Sequence, residues 1–77
     1  MNYYINTNKQ PSSQGGNYEV HKETCYYYVH YKQGNNFKYL GVFDSPIEAV
    51  KYAKKVYSTD SRYIDGCAYC CPTAHRV

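Results

Sequence analysis

The chain has 77 residues, which excludes more than one domain, and a chain of this length buries only about 60% of the surface that it exposes when unfolded. Much of the hydrophobic content is tyrosine, with twelve Tyr against two Phe, one Met and no Trp, so the expected core is thin and would gain from a metal, disulfides or a partner chain. A net charge of +3, spread from Lys9 to Arg76 without a dense run, permits an acidic partner but does not require one.

The amino-terminal third predicts two short strands on either side of a loose loop. Residues 2–6 and residues 18–21 are rich in Tyr, Ile and Val, which favour extended structure. Residues 9–17, with Pro, Ser and Gly, predict a flexible loop. Residues 1–8 carry neither a basic start nor an apolar stretch, and no segment approaches membrane-spanning length. We therefore expect a cytoplasmic protein without a membrane partner, in which thiols stay reduced and bind metal.

The middle of the chain predicts an antiparallel hairpin. Residues 25–31 (CYYYVHY) and 37–43 (FKYLGVF) are both rich in aromatic and β-branched side chains. Residues 33–36 (QGNN) between them are a turn signal. In this hairpin His30 is expected to be an ordinary strand residue.

A helix over residues 46–57 is the best-marked element. Ser45 is a natural N-cap, Pro46 suits the first helical position, and Glu48 completes a capping box. The apolar stripe expected to pack on the hairpin consists of Ile47, Val50, Ala53, Val56 and Tyr57. Residues 62–65 are expected to be a short extended piece that returns to the sheet. The predicted class is α+β, with a small antiparallel sheet of the hairpin and short strands packed on one helix.

Two ligand pairs indicate a zinc site. His21 and Cys25 flank the turn at residues 22–24, and Cys67 and Cys70 form a C-x-x-C knuckle. Zinc prefers thiolate sulfur and imidazole nitrogen in a tetrahedron, and two short pairs are the usual way in which a small domain supplies four ligands. Gly66 suits the tight backbone before the knuckle. The site would carry a net charge of about −1, which Lys22 or Arg76 is placed to offset.

Several alternatives to this site remain open at the level of sequence. Cys71 and His75 also have ligand-like spacing, so that His75 in place of His21 is an alternative ligand. The even number of cysteines allows two disulfides, although three of the four thiols crowd into five positions. A third alternative is that the thiols are reduced and bind no metal. A dithiol redox role for Cys67 and Cys70 is less favoured because the pair follows the only clear helix. No nucleophile motif stands out, so we expect no enzyme activity.

Two resemblances bear on these residues. Nearly the whole chain resembles a group of small bacterial proteins without an established activity. The shared segments are Tyr-Tyr-x-Asn-Thr-Asn, Glu-Val-His-x-x-x-Cys, Tyr-Leu-Gly-x-Phe, Ala-Val-x-x-Ala and Asp-Gly-Cys-x-Tyr-Cys, at residues 3–8, 19–25, 39–43, 49–53 and 65–70. Many of those proteins have a further Cys where this chain has Ala74, so the resemblance implies no second metal site.

The second resemblance is to the zinc module of Ada-type methylated-DNA repair proteins and of some bacterial nucleases. It covers His-x-x-x-Cys, a hairpin, Phe-x-Ser-x-x-Glu-Ala at the helix start and Cys-x-x-Cys, with Phe43, Ser45 and Glu48 in the expected places. It implies a zinc site of His21, Cys25, Cys67 and Cys70. It argues against methyl transfer, because His21 stands where the repair proteins have the methyl-accepting cysteine.

The predicted function is a non-enzymatic interaction module that zinc stabilises. Its Tyr-rich sheet or edge strands would bind a protein partner or a second copy of the chain, as in a homodimer. The alternative is a nucleic-acid-binding zinc module, in which exposed Tyr stacks on bases. Its phosphate contacts would come from Lys51, Lys54, Lys55 and Arg62, with Lys32 and Lys38 as further candidates.

Overall fold

Four strands form one mixed sheet in the computed structural model, which describes residues 1–7, 18–31 and 36–75. The strands are β1 (Asn2–Asn6), β2 (Tyr18–Lys22), β3 (Phe37–Val42) and β4 (Ile64–Gly66), in the order β3-β1-β2-β4. β1 is antiparallel to β2 and β3, whereas β2 and β4 are parallel. The α+β class is therefore confirmed, but the sheet is mixed rather than antiparallel. The predicted loop at 9–17 lies outside the described residues.

One face of the sheet forms the hydrophobic core with the main helix. Alternation along β1 buries Tyr3 and Ile5, and the pairing of Ile5 with Val20 places both of these side chains on the same face. Leu40 and Ile64 complete this face from the edge strands. The two short strands predicted at 2–6 and 18–21 are confirmed, the second with one additional residue at its end.

Capping residues mark both ends of the main helix, α2 (Pro46–Val56). The hydroxyl oxygen of Ser45 accepts a hydrogen bond of 3.3 Å from the Glu48 amide, and Tyr57 is the C-cap. The buried face consists of Ala49, Val50 and Ala53. The prediction that Ile47 and Val56 belong to the buried stripe is wrong, because these side chains are 36% and 52% exposed. The small side chain of Ala49 faces the core in their place, which lets the helix lie close to the sheet.

The predicted hairpin is wrong in its first arm. Residues 25–31 do not form a strand, because Tyr26–Tyr31 is a short helix, α1. The second arm is the edge strand β3, which pairs with β1 instead. The tertiary contacts of α1 outweigh the β propensity of its residues. The ring of Tyr28 stacks on Tyr4 at a centroid distance of 4.2 Å and meets Phe37 edge-on at 5.3 Å. In this way α1 covers part of the second face of the sheet.

The end of the chain returns to the sheet through a 3₁₀ helix, Ser58–Tyr63, followed by β4 and a final 3₁₀ turn, Pro72–Ala74. The extended piece predicted at 62–65 is correct for its last two residues only, because Arg62 and Tyr63 belong to the 3₁₀ helix. His30, predicted in a strand, lies exposed on α1. Within the described parts of the chain, no helix is both long and apolar enough to cross a membrane.

Candidate metal centre

The parallel pairing of β2 and β4 brings the two predicted ligand pairs together. Parallel strands run in the same direction, so their carboxyl ends meet at one edge of the sheet. Val20 is the register partner of Gly66, and the Cys67 amide donates a 2.9 Å hydrogen bond to the carbonyl oxygen of Val20. Cys67 comes directly after Gly66 and His21 directly after Val20, so the two residues lie side by side at this edge.

Two tight turns add the second member of each pair. The Cys25 amide donates to the carbonyl oxygen of Lys22 at 3.0 Å, which turns the chain back after β2. In the knuckle, the Cys71 amide donates to the carbonyl oxygen of Cys67 at 2.7 Å. The Lys22 amide lies 3.4 Å from Cys70 Sγ and donates to it. Such amide donors stabilise a thiolate.

The four ligand atoms of His21, Cys25, Cys67 and Cys70 all lie within 4.8 Å of one another. His21 Nδ1 is 3.4 Å from Cys25 Sγ and 4.0 Å from Cys70 Sγ. Zinc bonds of about 2.3 Å to sulfur and about 2.0 Å to nitrogen place tetrahedral ligand atoms roughly 3.5 to 3.8 Å apart. The group could therefore hold a metal ion with small adjustments. Three of its members are buried and Cys70 is half-buried.

The thiols of the group interact strongly with one another. The hydrogen bond shared with Cys70, together with burial, raises the pKa of Cys67 to about 12. The hydrogen bond with Cys67 lowers the pKa of Cys70, but the Cys71 thiol and burial raise it, with a net pKa of about 12. The Cys70 thiol in turn lowers the pKa of Cys71. Without a cation the cluster therefore keeps Cys67 and Cys70 as thiols.

The two alternative ligands lie outside the four-residue group. Cys71 Sγ is 3.6 Å from Cys70 Sγ, but the side chain is fully buried in the hydrophobic core. His75 Nδ1 lies 2.9 Å from the carbonyl oxygen of Gly66 and 3.2 Å from an Asp65 carboxylate oxygen. Both partners accept hydrogen bonds, so this nitrogen carries a proton and cannot bind a metal. All four cysteines lie in the described residues and are free thiols, which does not support the two-disulfide alternative.

Sequence analysis missed two acidic side chains next to the group. Glu19 and Asp65 are register partners on β2 and β4. Glu19 Oε1 lies 3.7 Å from His21 Nε2. Burial raises the pKa of Glu19, the nearby His75 lowers it, and Asp65 raises it further. The period of two along β2 would have placed Glu19 on the same face as His21, but the pairing with Asp65 required the strand order.

The basic residues proposed to contact phosphates lie on α2 and the 3₁₀ helix that follows. Lys51, Lys55 and Arg62 are exposed, and Lys54 is half-buried. Lys54 and Lys55 belong to the last turn of α2, where the helix dipole favours cations. The Arg62 guanidinium lies 4.8 Å from the centre of the Tyr63 ring. Lys38 is exposed on β3, and Lys32 lies outside the described residues.

Exposed tyrosines lie next to the cysteine and histidine group in both of its chain segments. Tyr26 and Tyr27 follow Cys25 and are 53% and 45% exposed, while Tyr69, inside the knuckle, is 68% exposed. The rings of Tyr27 and Tyr69 are 5.7 Å apart, and those of Tyr26 and Tyr27 are 5.5 Å apart. We call these three residues the tyrosine surface. It joins the two chain segments that supply the ligand pairs.

Comparison of the chain with protein-family models, with curated proteins and with solved structures found no significant match.

Proposed function

We propose that this protein is a small, non-enzymatic interaction module whose fold is stabilised by one zinc ion. The observation that carries the proposal is the group of His21, Cys25, Cys67 and Cys70, whose ligand atoms lie within 4.8 Å of one another. These residues come from two segments that are more than forty residues apart in the sequence, so one ion would cross-link distant parts of the chain at one edge of the sheet.

The chemistry of the group favours zinc in a structural role. Three thiols and one imidazole suit zinc better than magnesium or calcium, which prefer oxygen ligands. Four protein ligands fill a tetrahedron and leave no open position for a substrate or water. Three thiolates with one zinc ion give a net charge of about −1. The Lys22 amide, 3.4 Å from Cys70 Sγ, would moderate that charge.

Native mass spectrometry of protein purified without chelator tests this proposal. We expect the wild type to carry one zinc ion, and Cys25→Ser and His21→Ala to lose it or hold it weakly. Cys71→Ala and His75→Gln are the matched controls, because each changes the same residue type outside the group, and both should keep the ion. A metal-free wild type with four free thiols, or equal zinc loss in Cys71→Ala, would contradict the proposal.

For the interaction role, the tyrosine surface supports a protein partner or a second copy of this chain. Tyrosine is enriched at protein interfaces because its ring buries a large area and its hydroxyl bonds to the partner. Light scattering after size exclusion should report a mass that rises with concentration in the wild type and less in Tyr27→Ser with Tyr69→Ser. Tyr52→Ser, at an exposed tyrosine of α2, is the control. A wild type that stays strictly monomeric at high concentration would exclude self-association.

Nucleic-acid binding is the alternative function. It is supported by the exposure of Lys51, Lys55 and Arg62 along one stretch of the chain. A salt titration against single- and double-stranded oligonucleotides separates the two functions, because phosphate contacts make affinity fall steeply with salt. Binding that is absent or independent of salt would exclude the alternative. A redox role is disfavoured, because a reactive dithiol needs a lowered pKa whereas the pKa values of Cys67 and Cys70 are raised.

A further inference from the structure

The two ring nitrogens of His21 have different surroundings. Nδ1 faces the thiols, at 3.4 Å from Cys25 Sγ and 4.0 Å from Cys70 Sγ. Nε2 lies 3.7 Å from the Glu19 carboxylate oxygen Oε1. The imidazole therefore lies between the thiol cluster and a carboxylate, with one nitrogen directed to each.

Strand geometry produces this arrangement. Glu19 and His21 are two residues apart on β2 and share one face of the sheet, while Val20 between them lies in the core. The His21 side chain is only 2% exposed, and its ring meets Phe37 edge-on at a centroid distance of 5.5 Å. A ring this buried has little access to water, so a carboxylate beside Nε2 acts on it more strongly than it would at the surface.

We propose that Glu19 is a positioning residue for the metal site. Its carboxylate oxygen lies 3.7 Å from His21 Nε2, beyond direct hydrogen-bond distance, and its negative charge there favours the tautomer with the proton on Nε2, in which the Nδ1 lone pair faces the three sulfurs. A neutral imidazole carries a single N–H, so fixing the proton on Nε2 leaves Nδ1 as the ligand atom. Carboxylates that accept from a metal-bound histidine also orient the ring and increase its basicity. This inference rests on the proposed zinc site.

The neighbouring strand also brings His75 near Glu19, where burial raises the pKa of that carboxyl and His75 lowers it. Asp65, the register partner of Glu19, lies 3.2 Å from His75 Nδ1. The same nitrogen lies 2.9 Å from the carbonyl oxygen of Gly66, so Asp65 and Gly66 both accept from His75 Nδ1. Glu19 Oε1 faces the other imidazole, that of His21.

Zinc affinity measured by competition with a chromophoric chelator tests the role of Glu19. We expect Glu19→Ala to bind zinc about 10 to 100-fold more weakly than the wild type, still with one ion per chain. Glu19→Gln should also bind zinc more weakly than the wild type but lose less than Glu19→Ala, because its amide keeps a polar oxygen near Nε2 without the negative charge. Asp44→Asn, which neutralises an exposed carboxylate before α2, is the control and should bind as the wild type does. Wild-type affinity in Glu19→Ala would overturn the proposal.

A second measurement uses the unaltered chain, so it does not depend on how the variants fold. In cadmium-loaded, nitrogen-15-labelled protein, the proposal predicts metal coupling to His21 Nδ1 and a proton on Nε2. His75 is an internal reference, because its Nδ1 carries the proton. Metal coupling through His21 Nε2 would overturn the role of Glu19 while leaving the zinc site intact. A wild type that binds neither metal would instead overturn the site itself, and the role of Glu19 with it.

Discussion

At the scale of single residues, Gly66 shows how closely the chain packs beside the candidate metal centre. A β-carbon added there would meet the Ala74 β-carbon and the Cys71 carbonyl oxygen, both at 2.9 Å. The sequence suggested a glycine needed for a tight backbone. The structure gives another reason, because the turn at Pro72–Ala74 lies directly over the α-carbon.

We predict that Gly66→Ala destabilises the protein by about 1 to 3 kcal/mol, as overpacking of a close contact does. The contacts involve backbone atoms and the short side chain of Ala74, which cannot rotate away. Urea denaturation measures the change. Thr73→Ala, an exposed position in the same turn, is the control. A change of less than about 0.5 kcal/mol in Gly66→Ala would show that the turn moves away at little cost.

The thiol cluster predicts that zinc affinity rises with pH. Hydrogen bonding to Cys70 and burial hold the pKa of Cys67 at about 12, and the pKa of Cys70 is also about 12, so both are protonated at neutral pH. Zinc must displace these two protons. The apparent affinity should therefore increase by at least about two powers of ten per pH unit between about pH 6 and about pH 8.

Calorimetry in buffers of different ionisation enthalpy counts the released protons. His75→Gln should show the same slope, since His75 lies outside the group. An affinity that is constant over this range would contradict the prediction.

The stability of the metal-free fold changes with pH in the opposite direction. A thiol with a raised pKa stabilises that fold below the unfolded value of 9.0, and the contribution disappears as pH rises towards about 12.

At the scale of elements, α1 shows why local sequence is an incomplete guide. Its six residues, YYYVHY, favour strands, and a helix of this length is marginal by itself. Its contacts with the second face of the sheet decide its conformation. The Tyr28 ring stacks on Tyr4 with an angle of 17° between the ring planes.

We predict that Tyr28→Ala costs about 2 kcal/mol of stability and removes helical NMR shifts over residues 26–31, because the ring stack is lost. Tyr26→Ala is the matched control, since Tyr26 is 53% exposed on the same helix and its loss should cost much less. Urea denaturation and chemical shifts measure the two effects. Equal losses in both variants would show that the stack on Tyr4 does not stabilise α1.

At the scale of the whole molecule, the metal would cross-link two distant chain segments beside a thin core. Among the described residues, the buried aliphatic side chains larger than alanine are few: Ile5, Val20, Leu40, Val50 and Ile64. A chain of this size has a small margin of stability. Binding energy from one ion is then a large part of the total.

We predict that free zinc at about a thousandfold excess over its Kd stabilises the wild type by about 4 kcal/mol. For a domain of this size that raises Tm by roughly 15 to 30 °C. Calorimetric melting with zinc and with chelator measures the shift. His21→Ala should lose it and His75→Gln should retain it. Identical melting of the wild type under both conditions would contradict a stabilising role for zinc.

Local chemistry in the sequence was sufficient for part of the fold and for the candidate ligands. The capping box at Ser45 marked the start of α2, and the content of aromatic and β-branched residues marked β1 and β2. Donor types and spacing indicated His21, Cys25, Cys67 and Cys70 and left Cys71 and His75 as alternatives. These features depend on residues within a few positions of one another, which sequence alone displays.

The sequence by itself determined the α+β class, the position of α2 and the two ligand pairs. Only the tertiary structure decided that β4 lies parallel to β2, that residues 26–31 are helical, and that Glu19 faces His21. Each of these depends on contacts between segments that are distant along the chain, where the free energy of packing exceeds the small conformational preferences of single residues.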